Sequence, residues 1–259
     1  MNRLPLSVVY VAQNAAAVLP RSLASVQGWA DEIVVVDGGS SDATREIAEG
    51  FGARVIDRPW AGFAAQRQFA VEQAQQDWVL MLDSDEVLRP EGREAIQATL
   101  MAPSQAAYRL RRCSSFHGRR IRHGDWAQDT VLRLFDRRRG RYDLTETVHE
   151  SWHCEGPVGD LGVMALDHYS YTDYAQLLGK MQQYAQLNAQ KVYARGRPVA
   201  ASAPMSHAMA AFLRTYLLRL GFLDGVDGAA IAWTTALGAF MKYAIAREMQ
   251  QGQGLSDGH

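Results

Sequence analysis

Along the first hundred residues, short apolar runs alternate with stretches in which apolar positions recur every three or four residues. Residues 6–12, 32–37, 54–56 and 78–82 are runs rich in Val, Ile and Leu. Unbroken runs of this kind suit strands buried on both faces of a mainly parallel sheet. Between them, 16–26 carries Leu19, Leu23 and Val26 on one face. Residues 63–74 and 90–100 also read as helices, and Asp42 is placed to cap one that runs to Glu49. Strands and helices alternating at this spacing predict βαβ units. After about residue 104 the texture changes, and 106–112, 119–122 and 130–135 predict strands in a loop-rich region. From about residue 171 helical patterns cover 171–193, 205–220 and 226–249, broken at 196–198 and 221–225. The expected organisation is an α/β domain over 1–170, in halves 1–104 and 105–170, followed by a helical region over 171–259.

The run 78–82 ends in Asp83, Ser84, Asp85 and Glu86. In open α/β sheets, ligands collect at the carboxyl ends of the strands. Two carboxylates at i and i+2 on a turn offer hard oxygens to Mg²⁺ or Mn²⁺, which shares its remaining sites with a substrate diphosphate. The plainer alternative is that Asp83 caps a following helix and Glu86 is solvated. A second strand end, Asp37-Gly38-Gly39-Ser40-Ser41-Asp42-Ala43-Thr44, also opens a helix. Glycines there allow a ligand close to the backbone, and free N–H groups at a helix start favour anions. The stretch is neither a Gly-x-Gly-x-x-Gly fingerprint nor a Lys-bearing phosphate loop. A tight turn before a capped helix explains it equally well.

Composition narrows the class. The chain has 259 residues, 47% hydrophobic and 21% charged, with a net charge of -1. That balance gives no general reason to expect a nucleic-acid partner. Cys113 and Cys154 have no metal-ligand spacing, so a reduced, cytoplasmic setting is expected. The apolar N-terminal stretch lacks a small-residue cleavage site and reads as a strand, not a leader. No uncharged apolar run reaches the ~20 residues needed to span a bilayer; 228–241 comes nearest. Charge is uneven, however. Eleven arginines fall between Arg109 and Arg141, and guanidinium forks recognise phosphate and carboxylate at two points. An anionic acceptor follows as an expectation. No nucleic-acid module or aromatic ladder accompanies the charge, and a solvated basic face is the simpler account of Arg137, Arg138 and Arg139.

Taken in order, Asn14, the Asp37–Thr44 stretch, Gln66-Arg67 and the Asp83–Glu86 acids resemble family 2 glycosyltransferases of the GT-A fold. The resemblance continues through the stretch His123 to Asp129, Arg133-Leu134-Phe135, Val148-His149-Glu150 and Gly221 to Gly225. This longer set is similar to the lipopolysaccharide core β-glycosyltransferases and covers nearly the whole chain. It implies a nucleotide-sugar site formed by Ala12, Asn14, Asp37, Gly39, Arg67, Asp83 and Ser84. Asp37 and Asp83 would contact uracil and ribose of a UDP-sugar. Asp85 and His149 would serve Mg²⁺ or Mn²⁺, and Asp129 would be the general base of an inverting displacement, which needs no enzyme nucleophile. Asp125 competes with Asp129 for that role, and spacing alone does not choose between them.

The resemblance also implies glucose from UDP-glucose as donor, and a lipopolysaccharide core or other envelope glycan as acceptor. The setting is then the cytoplasmic face of the inner membrane. The apolar stripes of the last helices suit a peripheral membrane contact as well as packing on the catalytic domain or a second subunit. Three positions depart from the family pattern. Ala15 stands where an acid is usual after Asn14, Gln68 where an asparagine commonly follows the arginine, and Asp125 where Gly-Gly-Trp is more usual than Gly124-Asp125-Trp126. Loss of the acid keeps open a degenerate sugar-nucleotide-binding protein. A nucleotidyltransferase is the third reading, although 13–17 lacks its Gly-rich basic loop.

Overall fold

The structure is a computed structural model and describes residues 3–144 and 151–256. The chain forms two compact units, Met1–Cys113 with Asp129–Tyr169, and Ser114–Gln128 with Ser170–His259.

In the first unit the apolar runs become strands. β1 (Leu4–Ala12), β2 (Ala30–Asp37), β3 (Arg54–Asp57) and β4 (Trp78–Asp83) lie parallel in the order β3-β2-β1-β4. β5 (Glu86–Leu88) follows β4 after two turn residues, and the sheet continues beyond β4 through β8 (Thr130–Asp136), β6 (Ala107–Phe116) and β11 (Val158–Tyr171) to β5. β4–β8, β8–β6 and β11–β5 are antiparallel. β9 (Gly140–Tyr142) and β10 (Trp152–Cys154) form a separate hairpin-like pair.

Alternation sorts the core. Leu6, Val8 and Tyr10 of β1 pack with Leu19 and Leu23 of α1 (Leu19–Ala24) and Ile96 of α4 (Pro90–Met101). Val9 joins Val34, Val36, Val79 and Met81 against Ala70 and Val71 of α3 (Phe63–Gln73). The parallel register sets Ala12 opposite Asp37 and Val11 opposite Asp83. Three strand ends, two of them tipped by Asp37 and Asp83, therefore share one edge. α2 (Thr44–Gly50) opens after Asp42, whose Oδ1 accepts from the Thr44 N–H at 3.0 Å.

The first helix is shorter than the 16–26 pattern predicts. Asn14 has a left-handed backbone, φ 51°. The N–H groups of Ala15 and Ala16 are donated to Thr44 Oγ1 and Asp42 Oδ2. With those donors taken by side chains across the loop, the helix begins only at Leu19, with Pro20 in its first turn, where proline loses no hydrogen bond. The sequence pattern does not predict β5, β9, β10 or β11.

In the second unit, β7 (Arg119–Arg120) pairs back on the end of β6. α5 (Tyr174–Ala194), α6 (Ala203–Phe212) and α7 (Gly225–Ser256) pack together. The 205–220 pattern does not form one α-helix. α6 ends at Phe212 and widens into a π-helical turn over Leu213–Leu218. Phe116 sits among Trp126, Tyr171 and Tyr174, capped by Ile231 of α7. α7 is the one helix among the described residues that is long and apolar enough to cross a membrane by length and composition. It exceeds the 228–241 stretch because Asp227 and Lys242 interrupt the apolar run without ending the helix.

Candidate active site

The turn after β4 is built around a buried acid. Glu86 has no solvent exposure, so neither the solvated Glu86 nor the helix-capping Asp83 of the plainer reading is found: β5, not a helix, follows. Glu86 Oε2 accepts from the Asp83 N–H at 3.0 Å, which shapes the turn. Its Oε1 accepts from Arg112 at 2.8 Å and Arg133 at 2.9 Å. Arg133 also pairs with Asp83, and Arg67 reaches Asp83 Oδ1 at 2.7 Å. Arg112 then closes a fork on Asp129 Oδ2 with its Nε at 2.9 Å and Nη2 at 2.5 Å. Three acids and three arginines thus form one continuous chain: Asp129–Arg112–Glu86–Arg133–Asp83–Arg67.

The electrostatics follow from burial and pairing. Burial alone would push the Asp83 carboxyl up, but Arg133, Arg67, Arg112 and His168 outweigh it and hold the group well below the usual range. Burial would likewise lower Arg133, and Asp83 and Glu86 reverse that, raising it. Both groups therefore stay charged. The period of the strand brings Arg112 in. On β6, Arg109 and Arg111 are exposed while Tyr108 and Leu110 are buried, and Arg112 lies on the inward register. Arg112 and Arg133 are spent on these carboxylates, so of the eleven arginines they are not the ones available to an anionic acceptor. Nor is the Arg137–Arg139 turn simply a solvated face: Arg137 donates to the Gln76 carbonyl, Arg138 pairs with Asp136 and Asp77, and Arg139 donates to the Glu155 carbonyl.

The other expected site residues fall on the same strand-end edge. Ala12 ends β1, and its carbonyl accepts the Gly38 N–H at 2.8 Å. Gly38 leaves no room for a side chain, because a Cβ would lie 2.8 Å from Trp60. Asp37 is fully buried and accepts from the Gly39 and Ser40 N–H groups at 3.1 and 2.9 Å. Its nearest partners are thus its own turn, in which Gly39 takes φ +91°. Asn14 locks the two loops by accepting from the Ser41 N–H at 2.8 Å. Ala15 is buried in the core beside Leu19 and is not turned to solvent.

Ser84 and Asp85 form the turn between β4 and β5. Asp85 Oδ2 lies 3.5 Å from His168 Nε2. The β5–β11 register sets His168 opposite Glu86, a neighbour that no local spacing reveals. His149 lies outside the described residues. Among the described residues no three His, Cys, Asp or Glu converge on one point. Asp83 is held by arginines, and Asp85 with its half-buried carboxylate is the acid left to meet a cation. One carboxylate beside substrate phosphates is a donor set that Mg²⁺ or Mn²⁺ accepts.

Asp129 and Asp125 part company here. Asp129 lies in the first unit at the end of the ion chain. Asp125 lies in the second unit, bound by Arg214 at 3.0 Å and Arg219 at 2.7 Å. Asp224, from the 221–225 motif, accepts from the N–H groups of Arg122 and His123. That motif is a brace inside the second unit.

Comparison with known proteins agrees with this architecture. Residues 7–156 match the family model "Glycosyl transferase family 2". The lipopolysaccharide core biosynthesis glycosyltransferase LpsC of Rhizobium meliloti is 32% identical over 94% of both chains. An uncharacterized glycosyltransferase of Rickettsia typhi is 28% identical, covering 94% of this chain and 87% of its own. Among solved structures, glucosyl-3-phosphoglycerate synthase of Mycobacterium tuberculosis, in complex with Mn²⁺, UDP and glucosyl-3-phosphoglycerate, is 25% identical over 42% of this chain and 44% of that chain, TM-score 0.36. A family match over more than half of the chain, on a mainly parallel mixed sheet flanked by helices, means that this chain belongs to glycosyl transferase family 2 and has the GT-A fold.

Proposed function

We propose that the protein transfers a hexose, glucose from UDP-glucose, onto a lipopolysaccharide core or related envelope glycan with inversion at the anomeric carbon. The similarity to the Rhizobium meliloti core glycosyltransferase supports the acceptor class. The observation that carries the reaction type is the ion chain from Asp83 to Asp129. It fixes a donor-side acid turn and a distal carboxylate on one framework, as a single displacement requires.

In this reading Ala12, Asn14, Asp37, Gly39, Arg67, Asp83 and Ser84 border the uridine diphosphate. Asp129 accepts the proton of the acceptor hydroxyl while that oxygen bonds to the anomeric carbon and the sugar–phosphate bond breaks. UDP departs with the bonding electrons. Asp85 and His149 would hold Mg²⁺ or Mn²⁺, whose charge would offset that developing on the diphosphate. Arginines that remain at the surface, Arg109 and Arg141 among them, suit an anionic glycan. An acceptor carried on lipid places the reaction at the cytoplasmic face of the inner membrane.

The test is UDP release from a panel of UDP-sugars, with and without Mn²⁺, in the presence of truncated lipopolysaccharide core. Metal-dependent release from UDP-glucose that rises with acceptor is the expected result. UDP binding with no release from any donor would instead favour a degenerate sugar-nucleotide binder.

A further inference from the structure

The second unit exposes an apolar surface that its own fold does not explain. It centres on the segment after α6. The backbone widens there into the π-helical turn Leu213–Leu218, in which the Arg219 N–H reaches the Arg214 carbonyl at 2.8 Å. The turn closes on Leu220, a bulky residue with left-handed backbone, φ 57°. Such a conformation is costly for leucine and persists only where the surroundings impose it. What it achieves is outward display. Leu218 is 79% exposed, Leu220 46% and Leu223 55%, with Leu217 beside them. Trp233 of α7, 64% exposed, joins the patch through a run of ring contacts, tilted on Phe212, stacked from Phe212 to Tyr216 and edge-on from Tyr216 to Phe222. Leucines spent on solvent in a strained turn gain nothing for folding.

The charge around this patch identifies what covers it. The second unit carries eleven Lys and Arg against six Asp and Glu, whereas the first carries sixteen against twenty-two. Two of the six acids, Asp224 and Asp227, are buried and turned inward. Arg214 and Arg219 alternate with the exposed leucines and share the single carboxylate of Asp125. Arg122, which is exposed, is fixed beside the turn by its N–H bond to Asp224. An apolar wedge of Leu and Trp ringed by arginine matches the headgroup–acyl boundary of an anionic bilayer, where leucines enter and guanidiniums remain among phosphates. A second copy meeting this surface with its own would bring the same excess of positive charge to the contact.

We propose that the Leu213–Leu223 segment with Trp233 is a peripheral docking surface for anionic lipid. The inference shares the membrane setting with the reading above, but it rests on the leucine-bearing turn and its arginines, not on the sugar chemistry. The test is flotation of the full chain with vesicles containing phosphatidylglycerol, against pure phosphatidylcholine, with no donor or acceptor present. Leu218→Glu combined with Leu223→Glu alters two exposed side chains, and circular dichroism will check that the fold is kept. The expected result is flotation with the anionic vesicles alone, release by alkaline carbonate, and at least a roughly tenfold loss of binding in the double variant. Transfer to a water-soluble acceptor should be unchanged in that variant, so failure of docking and failure of the transferase reading are separable. Three outcomes would overturn the proposal. One is no flotation, or flotation equal in the variant. Another is retention through alkaline extraction, which would make α7 a span. The last is a dimer that the double variant dissociates, which would assign the surface to a second copy.

Discussion

At the scale of single residues, the proposed reaction gives two members of the ion chain different roles, Asp129 that of base and Glu86 that of support. Asp129 is held by Arg112, whose guanidinium binds its carboxylate and whose backbone N–H donates to its carbonyl. Asp129→Asn should lower turnover by about 10²–10⁴-fold, the usual contribution of a positioned base, while UDP affinity measured by calorimetry stays the same. Unchanged turnover would remove it from the reaction. Glu86 is the opposite case. It accepts from two arginines in a dry site, and its loss leaves positive charge uncompensated. Glu86→Ala should cost about 3–5 kcal/mol in urea unfolding, as other broken buried pairs do. A loss below about 1 kcal/mol, the level of a surface pair, would show that the arginines re-pair or reach solvent. None of this was legible in the Asp83–Glu86 stretch alone. Whether Glu86 is buried depends on Arg112 and Arg133, distant in sequence. Arg112 gave one hint: on an alternating strand it shares a face with Leu110.

At the scale of elements, legibility tracked how continuous the apolar signal was. β1, β2 and β4 are nearly unbroken Val, Ile and Leu runs, and the strand ends carrying Asp37 and Asp83 could be placed from them. β11 is not legible in the sequence because Gly159, Asp160, Gly162, Asp167 and His168 dilute its apolar positions. With it went the partner that sets His168 beside the acid turn. The long strand also explains a close approach. At Gly92 near the start of α4, a Cβ would lie 2.5 Å from the Ala165 carbonyl oxygen and 2.9 Å from its Cα. Backbone cannot yield as a flexible side chain does, so Gly92→Ala should destabilise by about 1–3 kcal/mol. Gly179 in the middle of α5 has nothing within 4 Å of such an atom. There the helix propensity of alanine acts alone, and Gly179→Ala should stabilise by about 0.5–1 kcal/mol. Paired urea titrations give both signs in one experiment; the same sign for both variants would refute the packing account of Gly92.

Across the whole molecule, paired carboxylates recur in both units, and together they set how the fold meets acid. Burial would raise Asp83, Asp125 and Glu32, yet in each case the partners win: Arg133 and Arg67 for Asp83, Arg214 and Arg219 for Asp125, Ser7 and Arg54 for Glu32. Asp136 is lowered chiefly by Arg138, against a smaller opposing effect of burial. All four are depressed in the folded state, so the unfolded chain binds protons first as pH falls. Their stabilisation is therefore complete above the ordinary carboxylate range of about 3.9–4.3 and is lost as pH drops through the folded values below it. Urea midpoints should fall steeply below about pH 4. Asp125 offers the internal control. Asp125→Asn should be less stable than the parent at pH 7, by up to about 1 kcal/mol for a partly exposed pair. The two curves should converge as acid protonates the aspartate and makes it the neutral equal of asparagine. A gap that persists at low pH would mean that Asp125 acts through hydrogen bonding and shape, and that its arginines contribute no charge-dependent stability to the helical unit.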